Sequence, residues 1–151
     1  MITVIGRFFT DTIASMEMEE ELWKQICHAY QVDRLILLPA TYQDLRLTDR
    51  NAYDQYETME EALTTVTGKR VYFIPPQTAI DNNLTYTMMS GYTYPQDIVI
   101  IFGESFYNNV RHITENDDVV SIALPDDNRG VYGVSINGIV LRDRWIKNGN
   151  N

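Results

Sequence analysis

The sequence predicts an α/β fold built on a mostly parallel sheet flanked by helices. Two observations carry that prediction. Several short runs, RLILL, VYFI, DIVIIF and VVSIAL, are apolar at nearly every position, as strands are when helices cover both faces of a parallel sheet. Between and around them lie stretches with helical start signals and apolar spacing, so strands and helices alternate along the chain.

Element by element, Ile2 to Ile5 (ITVI) reads as a first strand, and Phe8 to Ala14 as an irregular stretch. Ser15 is placed to cap a helix carrying MEMEEELWKQICHAY. Its acidic residues lie in the first turns, as the helix dipole favours, and Leu22, Ile26 and Ala29 form an apolar stripe. Arg34 to Leu38 is a strand stopped by Pro39. Thr58 opens a short helix over TMEEAL, which Gly68 closes. Val71 to Ile74 ends at Pro75 and Pro76, Asp97 to Phe102 ends at Gly103, and Val119 to Leu124 ends at Pro125. The segment from Val134 to Ile146 is a closing helix. One domain over residues 1–147 is expected, with a frayed polar tail at 148–151.

At 151 residues the chain is long enough to bury a core. With 44% hydrophobic and 22% charged residues it has the composition of a soluble globular protein. Twelve basic against 21 acidic residues leave a net charge of −9, which disfavours unaided binding to a polyphosphate. The lone cysteine, Cys27, reads as a buried structural thiol and fits a reducing cytosol. No apolar run approaches the roughly 20 residues that span a bilayer, and the N-terminus lacks a signal-peptide pattern, so a cytoplasmic protein is expected. His28 and His112 have no partners at metal-ligand spacing, and no metal site is expected. The acidic run EMEEE reads as a solvated helix start, and Lys24 as an exposed partner of Glu20. The ten tyrosines read as core-edge or interface residues rather than base-stacking platforms. No P-loop, dinucleotide fingerprint or serine elbow occurs.

Ligands of parallel sheets bind beyond the carboxyl ends of the strands. The loops there are PPQT after VYFI, GESF after DIVIIF, and PDDNRGVYG after VVSIAL. Each puts glycine or proline directly past a buried strand. They are either three walls of a backbone-lined pocket or ordinary turn chemistry.

The order DIVIIFGESF, VVSIALP and then a glycine-containing loop into GVSINGIVLRDRW resembles the C-terminal half of the SPOUT methyltransferases, in particular their SpoU-like ribose 2′-O branch. That branch carries an FGxE strand end, an IP-type turn and an SLN-type loop opening a helix. The counterparts are Phe102, Gly103 and Glu104, then Ile122 to Pro125, then Tyr132 to Trp145. ICHAYQVDRLILLP and DRNAYDQYETMEEAL resemble the family's N-terminal half more weakly.

The resemblance implies a C-terminal trefoil knot, a homodimer, and an S-adenosylmethionine pocket serving an RNA substrate, with or without a helper protein. The cofactor wall it implies comprises Ile74, Pro75 and Pro76; Gly103 and Glu104; Ile122, Leu124 and Pro125; and Tyr132, Gly133, Ser135 and Asn137. Its catalytic candidates are Glu104, Ser135 and Arg7. Glu104 either orients substrate or is a surface carboxylate. Ser135 and Asn137 either bond the cofactor or cap the helix. The family's N-x-G-x-x-x-R motif, whose arginine serves the methyl transfer, falls here on MEEELWKQIC, with glutamates for Asn and Gly and Lys24 or Gln25 near the arginine. Arg7 is either a substitute or a solvated arginine. Two further readings stand beside an RNA methyltransferase: a catalytically inactive knotted dimer that binds the cofactor or a protein partner, and an unrelated flavodoxin-like nucleotide-binding domain.

Overall fold

The computed structural model describes residues 1–9, 13–39, 53–103, 109–125 and 133–150. Seven strands form one sheet: β1 (Ile2–Arg7), β2 (Arg34–Leu38), β3 (Asp54–Gln55), β4 (Lys69–Phe73), β5 (Thr87–Met88), β6 (Ile98–Phe102) and β7 (Asp118–Ser121). Their spatial order is β3-β2-β1-β6-β4-β7-β5, and every pairing is parallel. The helices are α1 (Ile13–Ala29), α2 (Met59–Leu63), α3 (Pro76–Asp81) and α4 (Gly133–Lys147). The predicted parallel α/β architecture is therefore the observed one.

Strand alternation divides the core into two layers. On one face Val4, Leu35, Leu37, Val71, Phe73, Ile100, Phe102 and Val120 pack with Met16, Trp23 and Cys27 of α1 and Val140 and Leu141 of α4. On the other, Ile5, Ile36, Leu38, Tyr72, Val99 and Ile101 pack with Met59, Ala62 and Leu63 of α2. Because both faces are covered, the central strands β1, β6 and β4 are apolar in continuous runs.

Several expectations are corrected. The first helix begins at Ile13, so Ser15 lies inside it rather than at its cap, and its glutamates fall beyond the first turn. The stripe of Leu22, Ile26 and Ala29 is not the buried one: Leu22 is 43% exposed and Ala29 is exposed, while Met16, Glu19, Glu20, Trp23 and Cys27 are buried. Trp23 offers more apolar area than Leu22, and turning α1 to bury it carries the two glutamates inward on the same face. Thr58 does cap α2, its hydroxyl accepting from Glu61 N. The helix then ends at Thr64, whereas Gly68, at φ +112°, instead makes the turn into β4. The strand predicted over Val119 to Leu124 stops at Ser121. Residues 148–150 hydrogen-bond back to the last turn of α4 through Arg144, Trp145 and Ile146 carbonyls.

Candidate functional site

The three chain exits expected to form a site leave the sheet side by side, because β6, β4 and β7 are consecutive neighbours. Phe73 is level with Phe102 on one side and Val120 on the other. Ile74, Gly103 and Ser121 are therefore level, and Ile122 emerges one residue further along the carboxyl edge of the sheet, where a parallel sheet presents its ligand crevice. Ile74, Pro76, Gly103, Ile122 and Leu124 are half-buried there, and Pro75 and Pro125 are exposed.

Ile74, Pro75 and Pro76 offer no free backbone donor. The Ile74 N–H donates to Val120 O at 3.1 Å, and its carbonyl accepts from the buried Ser121 hydroxyl at 2.7 Å. Pro75 and Pro76 have no N–H, and the Pro75 carbonyl accepts from Ala79 N. These three residues contribute apolar side-chain surface.

The fourth contributor is α4. Gly133 is its first residue, so Ser135 sits in the first turn as an exposed residue and is not the helix cap. Asn137 is fully buried one turn in, where its Nδ2 donates to the Cys27 thiol at 3.5 Å. Burial, against a smaller opposing effect of that bond, pushes the Cys27 thiol up to about 11, so it is a protonated core residue. Among the described residues the Asn137 Oδ1 has no partner. Glu104 and Tyr132, with Asp126, Asp127 and Arg129, lie outside the described residues.

Arg7 ends β1 with the parity of Ile5, on the α2 side of the sheet and away from α4. Its charge is felt by His112, in the 3-10 turn Asn109–His112. His112 is held below its ordinary range chiefly by burial, with Arg111 and Arg7 adding to the effect and Glu60 opposing it. Arg111 Nε donates to His112 Nε2 at 3.2 Å, while Glu60 Oε1 lies 3.6 Å from Arg111 and 4.0 Å from His112 Nδ1. Arg7 thus belongs to a charged cluster on the face opposite Gly133 and Asn137.

The stretch aligned with the family's arginine motif turns one face inward, carrying Glu19, Glu20, Trp23 and Cys27 into the core while Met18, Glu21, Leu22 and Gln25 stay exposed. Glu19 Oε1 accepts from Phe9 N at 2.7 Å. Glu20, with no exposed surface, accepts from the Tyr53 hydroxyl at 3.1 Å and pairs with Lys24 at 3.6 Å. The exposed Lys24 and Glu20 face that spacing suggested is therefore half wrong: Lys24 reaches back onto a buried carboxylate. A buried charge requires such partners. Sequence reasoning also passed over Trp23, whose ring meets Phe102 at 6.0 Å and whose far edge lies against Gly6 and Gly133. The signal was available in the spacing of Met16, Glu19, Glu20, Trp23 and Cys27, which marks one helix face.

A wholly parallel sheet with helices on both sides, and a ligand edge assembled from three adjacent chain exits and a helix start, defines a class of α/β protein. Comparison narrows it. No family model and no curated protein matches the chain. Among solved structures, the A. aeolicus TrmH/SpoU tRNA modifying enzyme superposes with a TM-score of 0.71 over 97% of this chain and 74% of that one, at 11% identity. A methylase family protein from Haemophilus influenzae Rd KW20 gives 0.64 at 12% identity, and the AdoMet-bound rRNA methyltransferase from Sinorhizobium meliloti gives 0.62 at 11%. The chain spans 63% and 55% of those two proteins. The fold is thus that of the TrmH/SpoU-type RNA methyltransferases, as the resemblance in FGES, VVSIALP and GVSINGIVLRDRW implied.

Proposed function

We propose that the chain is an S-adenosylmethionine-dependent RNA methyltransferase acting on a ribose 2′-hydroxyl, working in the cytoplasm as a knotted homodimer. The observation that carries this reading is the side-by-side exit of Ile74, Gly103 and Ile122 at the carboxyl edge of a SpoU-type sheet. The residues fit such a cofactor: Ile74, Pro75, Pro76, Ile122, Leu124 and Pro125 supply apolar surface for a nucleoside, and Gly103 and Gly133 allow backbone to approach it. Asn137 Oδ1, buried and without a partner among the described residues, is an acceptor available to it. When bound, the cofactor supplies a sulfonium-activated methyl group. The chain's own part is to hold the acceptor hydroxyl in line and to accept its proton; Glu104 is the candidate to accept the proton, and Ser135 and Arg7 are the candidates to position the hydroxyl. Exposed Met18 and Leu22 on α1 and Ile139 and Ile146 on α4, two helices packed side by side, support the dimer.

A specific observation favours a second reading, a catalytically inactive dimer of the same fold that binds the cofactor or a protein partner. At the position of the family's arginine motif the chain carries Glu19 and Glu20, buried and hydrogen-bonded.

Calorimetry with S-adenosylmethionine and its demethylated product, followed by a methyl-transfer assay on bulk RNA, separates the two. Binding with transfer is the expected result. Absence of binding at millimolar ligand sinks the cofactor reading, and binding without transfer supports the inactive dimer. Gly103→Trp should abolish binding and leave a folded chain, because the indole fills the space where backbone approaches the ligand.

A further inference from the structure

The indole nitrogen of Trp23 is an unexplained buried group. Trp23 has no exposed surface, and among the described residues its Nε1 has no hydrogen-bond partner. An indole nitrogen is a donor only. Native folds leave few buried donors unpaired, and each such group calls for an explanation. Filling the core does not supply one, since a phenylalanine or leucine fills an apolar layer without desolvating an N–H.

Its position is enforced from several sides. A Cβ on Gly6 would lie 2.4 Å from Trp23 Cη2 and 2.5 Å from Cζ2, the ring carbon next to the one bearing the nitrogen. A Cβ on Gly133 would lie 3.6 Å from the same two atoms and 3.5 Å from Phe102 Cβ. The Phe102 ring closes in at 6.0 Å and 48°. The indole is therefore held where β1 ends, β6 ends and α4 begins. Phe102 leads directly into Gly103, so the ring that carries the donor packs beneath the proposed pocket.

Resting on the reading that this edge binds S-adenosylmethionine, we propose that the Trp23 Nε1–H donates a hydrogen bond to the nucleoside half of the bound cofactor, at a ribose oxygen or an adenine ring nitrogen. The nucleoside half is assigned because Glu19 and Glu20 lie one turn earlier on the same buried face of α1. Lys24 offsets the charge of Glu20, and beside the remaining carboxylate of Glu19 a neutral acceptor is favoured over an anionic one such as the cofactor's carboxylate.

Trp145 is the other tryptophan, so a Trp145→Phe chain reports on Trp23 alone. Titration with S-adenosylhomocysteine and with 5′-methylthioadenosine, which lacks the amino-acid half, should move the indole N–H proton resonance downfield with saturation. Replacing Trp23 by β-(3-benzothienyl)alanine exchanges N–H for sulfur at nearly unchanged shape, and should weaken both ligands about five- to tenfold, the worth of one hydrogen bond. An unmoved resonance at saturation, or unchanged affinity in the benzothienyl chain, overturns the inference and leaves the cofactor reading standing. Dependence seen with S-adenosylhomocysteine but not with 5′-methylthioadenosine overturns the assignment to the nucleoside half. Failure of the Trp145→Phe and wild-type chains to bind either ligand overturns the inference and the cofactor reading together.

Discussion

Gly6 and Trp23 show how one residue's identity is dictated by another across the core. Gly6 sits near the carboxyl end of the apolar strand β1, where glycine is otherwise unfavourable, and nothing in ITVIGR announces why. The reason is the Trp23 ring, which occupies the volume of any side chain there. Gly6→Ala should cost about 1–3 kcal/mol of stability through overpacking, read from urea denaturation midpoints. The loss should shrink in a Trp23→Leu background, since the two sites share one contact. Equal losses in both backgrounds would place the strain elsewhere. Glu19 and Glu20 teach the same lesson with charge: their letters read as solvent-facing, and partners such as the Phe9 backbone, the Tyr53 hydroxyl and the Lys24 ammonium make their burial tolerable.

At the scale of elements, the strands were legible because burial on both faces leaves a signature in each strand's own letters. Arg34–Leu38 and Ile98–Phe102 match their apolar runs nearly residue for residue. Helix α1 was legible as a helix but not in its orientation, because which face turns inward depends on what it meets. The end of α4 is similar. Asp143 Oδ2 accepts from the Tyr94 hydroxyl at 2.8 Å and pairs with Lys147 at 2.8 Å. The Lys147 ammonium also donates to the Met89 and Tyr92 carbonyls and lies 5.4 Å from the centre of the Tyr94 ring. Burial first, and then the bond to Asp143, raises the Tyr94 phenol well above its ordinary range, so it remains a donor at all working pH values. This clamp fastens the closing helix to the segment that feeds β6. Tyr94→Phe should lower stability by about 1–2 kcal/mol, the worth of a hydrogen bond to a charged acceptor, and chemical denaturation will show whether it does. An unchanged midpoint would mean that Lys147 alone secures the helix end.

Across the whole molecule, parallel pairing has the consequence that matters for function: every strand delivers its following loop to one edge. Residues more than forty positions apart, Ile74 and Ile122, thereby become neighbours through Val120 and Ser121. The same arrangement leaves apolar Met18, Leu22, Ile139 and Ile146 on the outer faces of α1 and α4, which supports self-association. Sedimentation should give twice the chain mass, and Leu22→Glu should halve it while preserving the circular dichroism spectrum. A monomeric wild-type chain would remove the dimer from the proposal.

The sequence by itself determined the five longer strands but not the two-residue β3 and β5, together with the parallel α/β class and the SpoU-like order of FGES, VVSIALP and GVSINGIVLRDRW. These are local properties, written in runs of neighbouring residues. Only the tertiary structure decided that Ile74 has no free backbone donor, that Arg7 faces the side opposite α4, that Glu19 and Glu20 are core residues, and that the buried Trp23 nitrogen has no partner among the described residues. Each of these depends on which distant atom fills the space beside a side chain, and close packing settles that only once the whole sheet has assembled.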